Sequence, residues 1–237
     1  MDETSDKSGV VRDAFGVQKS LLLNDHPLIF DVGAFVGQVT DHYRKLFPFA
    51  LIHSFEPFPP AFRHLQQNTS RDPMIRAHNM AISDKCETVA FNSNAFAPTN
   101  SLLKTDKDGK AYWGDGVLNT RDEITVSATT IDHFCEEQGV AMIDILKLDI
   151  QGAEYKAFAG AEEMLSKQSI SIIYTEIILV PTYVGQRKFH EYLQFLDSHG
   201  YILFGIYNPV YMALQLNQID ALFVSKEYLN SVGLQAP

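Results

Sequence analysis

The sequence of 237 residues lacks several features that mark specialised classes of protein. Its two cysteines, Cys86 and Cys135, are far apart and lack the spacing of metal ligands, so we expect both to be reduced and no disulfide framework to form. No apolar run approaches the ~18 residues of a membrane span. The first residues, MDETSDKSGVVRDAFG, lack the basic start and apolar centre of a secretory signal. We therefore expect a cytoplasmic protein without a membrane span.

Clusters of basic residues are also missing. The formal net charge is −10, and no run of Lys or Arg is longer than a pair. Such a chain repels nucleic acids at long range, so we expect no nucleic-acid substrate. The length suits one hydrophobic core. We predict a single domain over 28–237 and an N-terminal extension over 1–27, in which VQKSLLLNDHP forms a short helix on the sheet edge and the residues before about Val10 fray.

The most informative stretch runs from Leu28 to Gln38 and reads LIFDVGAFVGQ. An apolar run ends in Asp31, a turn with Gly33 and Gly37 follows, and helical spacing then begins. This order predicts a strand, a tight turn and the first turn of a helix. A helix start offers unpaired N–H groups, and glycine lets backbone approach a bound molecule, so we expect a nucleoside-type cofactor.

The dinucleotide fingerprint G-x-G-x-x-G is absent, since Phe35 stands where a middle glycine would admit a diphosphate. A second apolar run, LIHSF, ends in Glu56, whose carboxylate could accept hydrogen bonds from both hydroxyls of a ribose. A glycine turn with an acid at the next strand end suits S-adenosylmethionine (SAM) better than NAD. The alternative is that both glycines are ordinary turn residues.

The next predicted strand, from about Met74 to Ile82, ends where an adenine would lie if Glu56 holds the ribose. Asn79 could pair with the adenine edge, while Met80 and Ala81 cover its face. A simple strand end and turn remains the alternative for these residues.

From Cys86 to Thr129 the pattern changes to short extended pieces separated by turn residues. We predict an inserted hairpin and loop over about 86–128, with a mobile stretch DKDGKAYWGDG, that forms a wall over the site. Tyr112 and Trp113 could contact a substrate or anchor the loop.

A second unit of strand, acid, glycine and helix follows over residues 142–165, with Asp149 at the strand end. In a doubly wound sheet it would lie beside the first unit at the switch point. The next strand, Ile170 to Ile178, carries Glu176, and an acid inside an apolar strand is costly unless it is paired or functional. Tyr183 in the following loop is a candidate lid contact.

The segments from Tyr201 to Tyr207 and from Ala221 to Val224 are joined without room for a crossover helix, so they should be antiparallel. We assign the intervening Asn208-Pro209-Val210-Tyr211 to a turn. Parallel strands closed by such a hairpin indicate an α/β fold of class I methyltransferase (Rossmann-like) type, a doubly wound sheet of about seven strands with an antiparallel C-terminal hairpin.

Five segments together resemble the FkbM family of SAM-dependent methyltransferases, over roughly Leu28 to Phe223: DVGAFVGQ, SFEPF, NMAISD, ILKLDIQGAE and YTEI. The resemblance implies methyl transfer to a hydroxyl of a sugar, polyketide or other small molecule. One departure is Gln151, where many members carry glutamate, so an acid role at that position is not supported. The residues that the resemblance places at the cofactor are Asp31, Gly33, Ala34, Gly37, Gln38, Glu56, Asn79, Met80, Ala81 and Asp149.

Removing the proton of an alcohol during methyl transfer by a base is worth about 10²–10⁴ in rate. Asp149 and Glu176 are the two candidates, because both should project from strand ends into the crevice. The same pair could instead bind a divalent metal, although only two good ligands are visible. Two other functions stay open, an NAD-dependent oxidoreductase and a SAM-binding module without catalysis. The acceptor itself has no readable signature in the sequence.

Overall fold

The computed structural model describes residues 13–234, which form ten strands and nine α-helices. The prediction that the residues before about Val10 fray concerns a part of the chain outside the described residues. The strands are β1 Leu28–Val32, β2 Leu51–Phe55, β3 Ile75–His78, β4 Ala81–Ile82, β5 Glu87–Asn94, β6 Thr120–Thr129, β7 Ile143–Leu148, β8 Ile170–Ile178, β9 Tyr201–Met212 and β10 Gln215–Ser225.

The helices are mostly short and connect these strands. They are α1 Ala14–Leu21, α2 Gln38–Leu46, α3 Pro59–Thr69, α4 Lys110–Trp113, α5 Ile131–Gln138, α6 Glu154–Ala159, α7 Glu162–Ser166, α8 Phe189–Ser198 and α9 Lys226–Ser231.

Seven strands form the main sheet in the order β3-β2-β1-β7-β8-β10-β9. The first five are parallel to one another, and β10 pairs antiparallel with both β8 and β9. The predicted fold class is thereby confirmed. Chain order reverses between β1 and β7, and ligands of doubly wound sheets bind outside the carboxyl ends of the strands at that point.

Apolar side chains fill both faces of the central strands. β7 and β8 are buried along their whole length, as expected for strands covered on two sides. Phe30 and Leu146 belong to the core under α5 and α8, whereas Ile29 and Ile145 face the core under α1 and α2. This alternation along neighbouring strands fixes the register of β1 against β7.

The predicted N-terminal helix is confirmed, although it begins at Ala14 and ends at Leu21, before the predicted end. Rather than lying only at an edge, it packs on one face of the sheet, where Ala14 and Leu21 are buried in the core. The side chain of Gln18, fully buried, accepts a hydrogen bond of 2.9 Å from the Tyr43 hydroxyl.

The inserted segment forms a separate small sheet in the order β4-β6-β5. The predicted pieces ETVAFNSN and ITVSATT lie in β5 and β6, but SLLKT contributes only isolated bridges at Ser101 and Thr105. The stretch predicted to be mobile contains α4 and is anchored at two points. Trp113 Nε1 donates to Thr182 Oγ1 at 2.7 Å, and Asn217 donates to the Tyr112 carbonyl at 2.8 Å. Trp113 therefore anchors the loop through its ring nitrogen, and Tyr112 does so through its backbone carbonyl.

The prediction of one strand from Met74 to Ile82 was wrong. β3 ends at His78, and β4 pairs with β6 of the other sheet. Between them the Asn79 side chain donates to the carbonyls of Glu56 and Pro57, at 2.8 and 3.1 Å, which turns the chain away from β2.

The assignment of Asn208 to Tyr211 as a turn was also wrong. These residues belong to β9, and the hairpin reverses at Ala213 and Leu214. β9 tolerates Pro209 because it is an edge strand, where a missing N–H breaks no ladder. Asn208 has a φ of +47° and donates to Asp220 at 2.8 Å, which accommodates an irregularity in the register.

The helix predicted to run through Leu165 is two helices, α6 and α7. Gly160 lies at the break, where a Cβ would be 2.1 Å from the Ser83 carbonyl oxygen. Close packing against the segment after β4 therefore interrupts the helix. None of the helices between residues 13 and 234 is long and apolar enough to cross a membrane.

Candidate active site

A cavity of about 240 Å³ lies at the carboxyl ends of β1, β2 and β7, at the switch point of the sheet. Its walls come from the loops after these three strands, from β4 and from the inserted segment. Small-molecule pockets in proteins begin at about 300 Å³, so this cavity is close to the size that a cofactor or substrate needs.

The turn after β1 is held by backbone groups. The N–H groups of Gly33 and Ala34 both donate to the Phe55 carbonyl at 3.0 Å, which ties the turn to the end of β2. A Cβ at Gly33 would lie 1.9 Å from the backbone oxygen of Asp149, so no other residue fits without moving β7. Phe35 has a φ of +50°, and this brings its N–H toward Glu56.

Glu56 is fixed by two backbone donors. Phe35 N–H donates to Oε2 at 2.9 Å, and Phe58 N–H donates to Oε1 at 2.8 Å. Burial raises the pKa of Glu56 to about 7, while these two hydrogen bonds oppose the shift. Each oxygen keeps an unused lone pair, and the carboxylate lines the cavity. It can therefore accept hydrogen bonds from a vicinal diol.

A buried cation links the first and second units of the site. The Lys147 ammonium lies 3.1 Å from Oδ1 of Asp31 and 3.8 Å from Oδ2 of Asp149, and donates to the Gly33 carbonyl at 3.2 Å. Burial alone would lower the pKa of Lys147, but Asp31 and Asp149 keep it above its usual value. The lysine is charged and its donors are used within the protein.

Asp149 and Glu176 differ in access. The Asp149 side chain is 42% exposed and lines the cavity. Glu176 is buried away from the cavity, and burial, followed by the neighbouring Asp149, raises its pKa well above the usual range. Gln151 donates to both carboxylates, at 3.1 Å to Asp149 and 2.7 Å to Glu176. The two acids are therefore neighbours, but only Asp149 is presented to a ligand.

The inserted segment supplies the wall opposite the sheet. Phe91, Pro98, Asn100 and Leu102 line the cavity. The Ser101 hydroxyl donates to the Gln151 carbonyl at 2.8 Å, which ties this wall to the turn after β7. The predicted wall over the site is in place, and it is largely apolar.

Tyr183 is buried behind this wall rather than exposed as a lid. Its hydroxyl lies 2.8 Å from the Thr99 carbonyl oxygen and 3.0 Å from Oε1 of Gln151. A Cβ at Gly152 would lie 2.9 Å from the Tyr183 ring, so the ring packs directly on the glycine of the second unit.

Seven of the predicted cofactor residues line the cavity, and three do not. Asp31 lies beneath it, fully buried, and accepts a hydrogen bond of 2.6 Å from Thr40. Gly37 is the N-cap of α2, with a φ of +92°, and Asn79 uses its amide within the loop after β2. The lining residues among those predicted are Gly33, Ala34, Gln38, Glu56, Met80, Ala81 and Asp149.

Sequence reasoning missed the structural roles of Gln151, Phe35 and Ser101, and it missed that Lys147 pairs with Asp31 and Asp149. A lysine inside an apolar strand, two residues before the acid at its end, was a usable signal for a buried ion pair. The backbone contacts of Phe35 and the long-range contact of Ser101 left no local pattern.

The charged groups that line the cavity suit a nucleoside without a diphosphate. The cavity lining presents the carboxylates of Glu56 and Asp149, and its single cation among the described residues, Lys147, is already paired. A diphosphate would meet uncompensated negative charge there, whereas a ribose with a cationic sulfonium would not. Within residues 13–234, no group of three or more His, Cys, Asp or Glu side chains is placed to hold a metal ion.

Comparisons with known proteins agree with this geometry. The family model described as the methyltransferase FkbM domain matches residues 31–203. The 2-O-methyltransferase NoeI of Sinorhizobium fredii is 31% identical over 183 residues, which cover 76% of this chain and 74% of NoeI. The 31-O-demethyl-FK506 methyltransferase FkbM of Streptomyces tacrolimicus is 25% identical over 213 residues, 82% of this chain and 80% of that protein.

One solved structure, magnesium protoporphyrin IX methyltransferase of Synechocystis PCC 6803 with bound SAM, matches with a TM-score of 0.50 at 10% identity, over 88% of this chain and 76% of that one. This likeness concerns the fold alone. The expected family is confirmed by the domain match together with the two relatives. The chain belongs to the FkbM family of SAM-dependent methyltransferases.

Proposed function

We propose that this enzyme methylates a hydroxyl group of an uncharged small molecule or glycan, such as a sugar or a polyketide. The observation that carries the proposal is that two carboxylates line one cavity. Glu56 lies on one side of β1 and Asp149 on the other, with apolar walls between. The two relatives support this choice of atom, since both of their names specify methylation at oxygen.

The Glu56 side binds the nucleoside. Its carboxylate accepts hydrogen bonds from the ribose hydroxyls, while Met80 and Ala81 cover the adenine face. Asn79 remains a proposed partner of the adenine edge, through the oxygen of its amide, because its nitrogen is engaged in the loop. When bound, SAM supplies a methyl group on a cationic sulfur, which keeps the electrons of the broken carbon–sulfur bond.

Asp149 acts as the base. It accepts the proton that the acceptor hydroxyl loses as its oxygen bonds to the methyl carbon, and later releases that proton to water. Glu176, the other candidate, is buried away from the cavity, and burial raises its pKa well above the usual range, so we assign it the role of a neighbour that acts on Asp149 through Gln151.

The charge of the site favours an uncharged acceptor. The exposed Asp149 carboxylate repels an anionic group, and Lys147 has no free donor directed to such a group in the described structure. We therefore expect neutral methyl glycosides to be better substrates than the same sugars oxidised to uronic acids.

Replacing Asp149 by Asn tests the role of the base. We expect turnover to be lost while calorimetry with S-adenosylhomocysteine (SAH) shows nearly unchanged affinity, because the amide keeps the shape of the carboxylate. Equal turnover in the variant would exclude Asp149. Full activity after treatment with a chelator would likewise exclude a catalytic metal.

A thermal-shift panel of SAM, SAH and NAD tests the cofactor. A ligand at a hundredfold excess over its dissociation constant stabilises a protein by about 2.7 kcal/mol, so SAM and SAH should raise the melting temperature and NAD should not. Stabilisation by NAD alone would favour an oxidoreductase. Binding of SAM without turnover of any hydroxyl acceptor would favour a SAM-binding module.

A further inference from the structure

Gln151 lies in the turn after β7, between the two acids of the site, with a φ of +57°. Its side-chain nitrogen donates to Asp149 Oδ1 at 3.1 Å and to Glu176 Oε2 at 2.7 Å. Its amide oxygen lies 3.0 Å from the Tyr183 hydroxyl, and its backbone carbonyl accepts from Ser101 at 2.8 Å. Both ends of the amide are therefore engaged.

A primary amide matches these partners because it offers two N–H donors and one acceptor oxygen. Two carboxylates face the nitrogen, and a hydroxyl faces the oxygen. An ionised carboxylate at the same place would offer only acceptors to Asp149 and Glu176. A methionine would keep the length of the side chain and lose both donors.

The charges around Gln151 make this distinction matter. Burial and then the neighbouring Asp149 raise the pKa of Glu176 well above its usual range. The titratable groups that face Asp149 and Glu176 from the packed elements are Lys147, Glu154, Tyr174, Tyr183, Tyr192 and Asp220.

We infer that Gln151 is a positioning residue, which holds the Asp149 carboxylate toward the acceptor and joins it to Glu176 through the nitrogen of its amide. The inference rests on the proposed function of Asp149. A side chain that is 42% exposed changes rotamer freely unless it is held. Gln151 holds Oδ1, and the Lys147 ammonium lies 3.8 Å from Oδ2, so the remaining lone pairs stay available to a hydroxyl.

The first test uses protein without cofactor and needs no acceptor. The melting temperatures of wild type and Gln151→Glu are measured from pH 6 to pH 9. A glutamate between two acids has a folded pKa above its unfolded value, so stability is lost as pH rises through the folded pKa. We expect the melting temperature of the variant to fall steadily further below that of wild type as the pH rises.

Gln66→Glu is the matched control. Gln66 lies on an exposed face of α3 and does not line the cavity. A glutamate there faces water in the folded and in the unfolded protein, so folding does not shift its pKa. Its difference from wild type should therefore stay constant above pH 6, whatever its size.

The second test follows SAH release with methyl glycosides of neutral hexoses as probes. In Gln151→Glu, the pH below which kcat falls should move upward, because a second negative charge beside the base disfavours its ionised form. Gln151→Met should move it in the same direction, since Asp149 loses a donor, and should show no growing deficit in melting temperature. Affinity for SAH at pH 8 should stay near the wild-type value in both.

The outcomes separate the two proposals. If the wild-type protein does not bind SAH, the proposed function itself is overturned. A melting deficit in Gln151→Glu that does not vary with pH, or a kcat profile that keeps its midpoint, would overturn the role of Gln151. If Gln151→Glu does not fold at any pH, Gln151→Met decides, and an unchanged midpoint there overturns the inference.

Discussion

The two sides of the cavity are held in place by different kinds of contact. On the side of Glu56, backbone N–H groups do the holding, through the turn at Gly33 and the donors of Phe35 and Phe58. On the side of Asp149, side chains do it, through Gln151 and Lys147.

The two kinds of contact differ in how much they depend on the identity of each residue. Backbone donors are the same for every residue type, so the nucleoside side depends on a few positions such as Gly33 and Glu56. The acceptor side depends on the identity of each side chain and on the inserted segment, which reaches it through Ser101. One scaffold can thereby keep its cofactor and change its acceptor.

The largest expected effect comes from Gly33→Ala. The new Cβ would lie 1.9 Å from the Asp149 backbone oxygen, at a φ of +77°, so the turn and the end of β7 must separate. We expect SAH binding to be undetectable by calorimetry and the melting temperature to fall. Because Gly33 contacts the end of β2 on one side and Asp149 on the other, its replacement should disturb both sides of the cavity.

Gly114→Ala is the matched control for that change. Gly114 has a similar φ of +86°, but a Cβ there would meet no atom within 4 Å. The control carries the backbone cost without the clash. If Gly114→Ala lost SAH binding as completely, the loss at Gly33 would not reflect its contact with Asp149.

Glu56→Gln should have the next largest effect, confined to the nucleoside side. Hydrogen bonds to a charged group contribute about 1.5–3 kcal/mol, so affinity for SAH should fall roughly 10- to 100-fold. Calorimetry with SAH measures the loss. A variant that bound SAH as tightly as wild type would show that Glu56 does not hold the ribose.

The residues at the ends of the central strands could be predicted from the sequence. Gly33, Glu56 and Asp149 each follow an apolar run that forms a parallel strand, and the carboxyl ends of such strands meet at one sheet edge. Their convergence follows from local pattern and topology. The strand order and the antiparallel hairpin follow in the same way.

Other contacts depend on partners distant in the chain. The bond from Ser101 to Gln151 spans 50 residues, and the tie from Trp113 to Thr182 spans 69. The chain leaves β3 at Asn79, whose side chain donates to carbonyls of the loop after β2. No periodicity reports such contacts. The wall over the site was therefore predicted, and anchoring was one alternative for Tyr112 and Trp113, but the partners that hold the loop were not predicted.

The pH dependence of SAH binding gives a smaller effect on the nucleoside side. Burial raises the pKa of Glu56 to about 7. In the proposed complex the ionised form accepts both hydrogen bonds from the ribose. Affinity should therefore be full above the pKa and fall about tenfold between pH 8 and pH 6, because protonation competes with binding. Calorimetry at several pH values checks this.

Glu56→Gln is also the control for that measurement. Burial raises the pKa of Glu154 to about 7 as well, and its carboxylate accepts from Ile150 N–H beside the cavity. If Glu56 is responsible, the variant should bind SAH with the same affinity at pH 6 and pH 8. A pH dependence that persisted in the variant would assign the effect to Glu154.

The smallest expected effect sharpens the comparison from the acceptor side. Tyr183→Phe keeps the ring over Gly152 and removes the hydroxyl between Thr99 and Gln151. One hydrogen bond is worth about 1 kcal/mol, so the melting temperature should fall slightly and turnover of a neutral glycoside should fall several-fold, as Gln151 is held less firmly. SAH affinity should not change, because the hydroxyl contacts nothing on the nucleoside side.

Tyr211→Phe, at an exposed position of β9, is the control and should alter neither the melting temperature nor the turnover. A loss of SAH affinity in Tyr183→Phe equal to its loss of turnover would mean that the two sides are one mechanical unit, and that the division between backbone and side-chain support does not divide function.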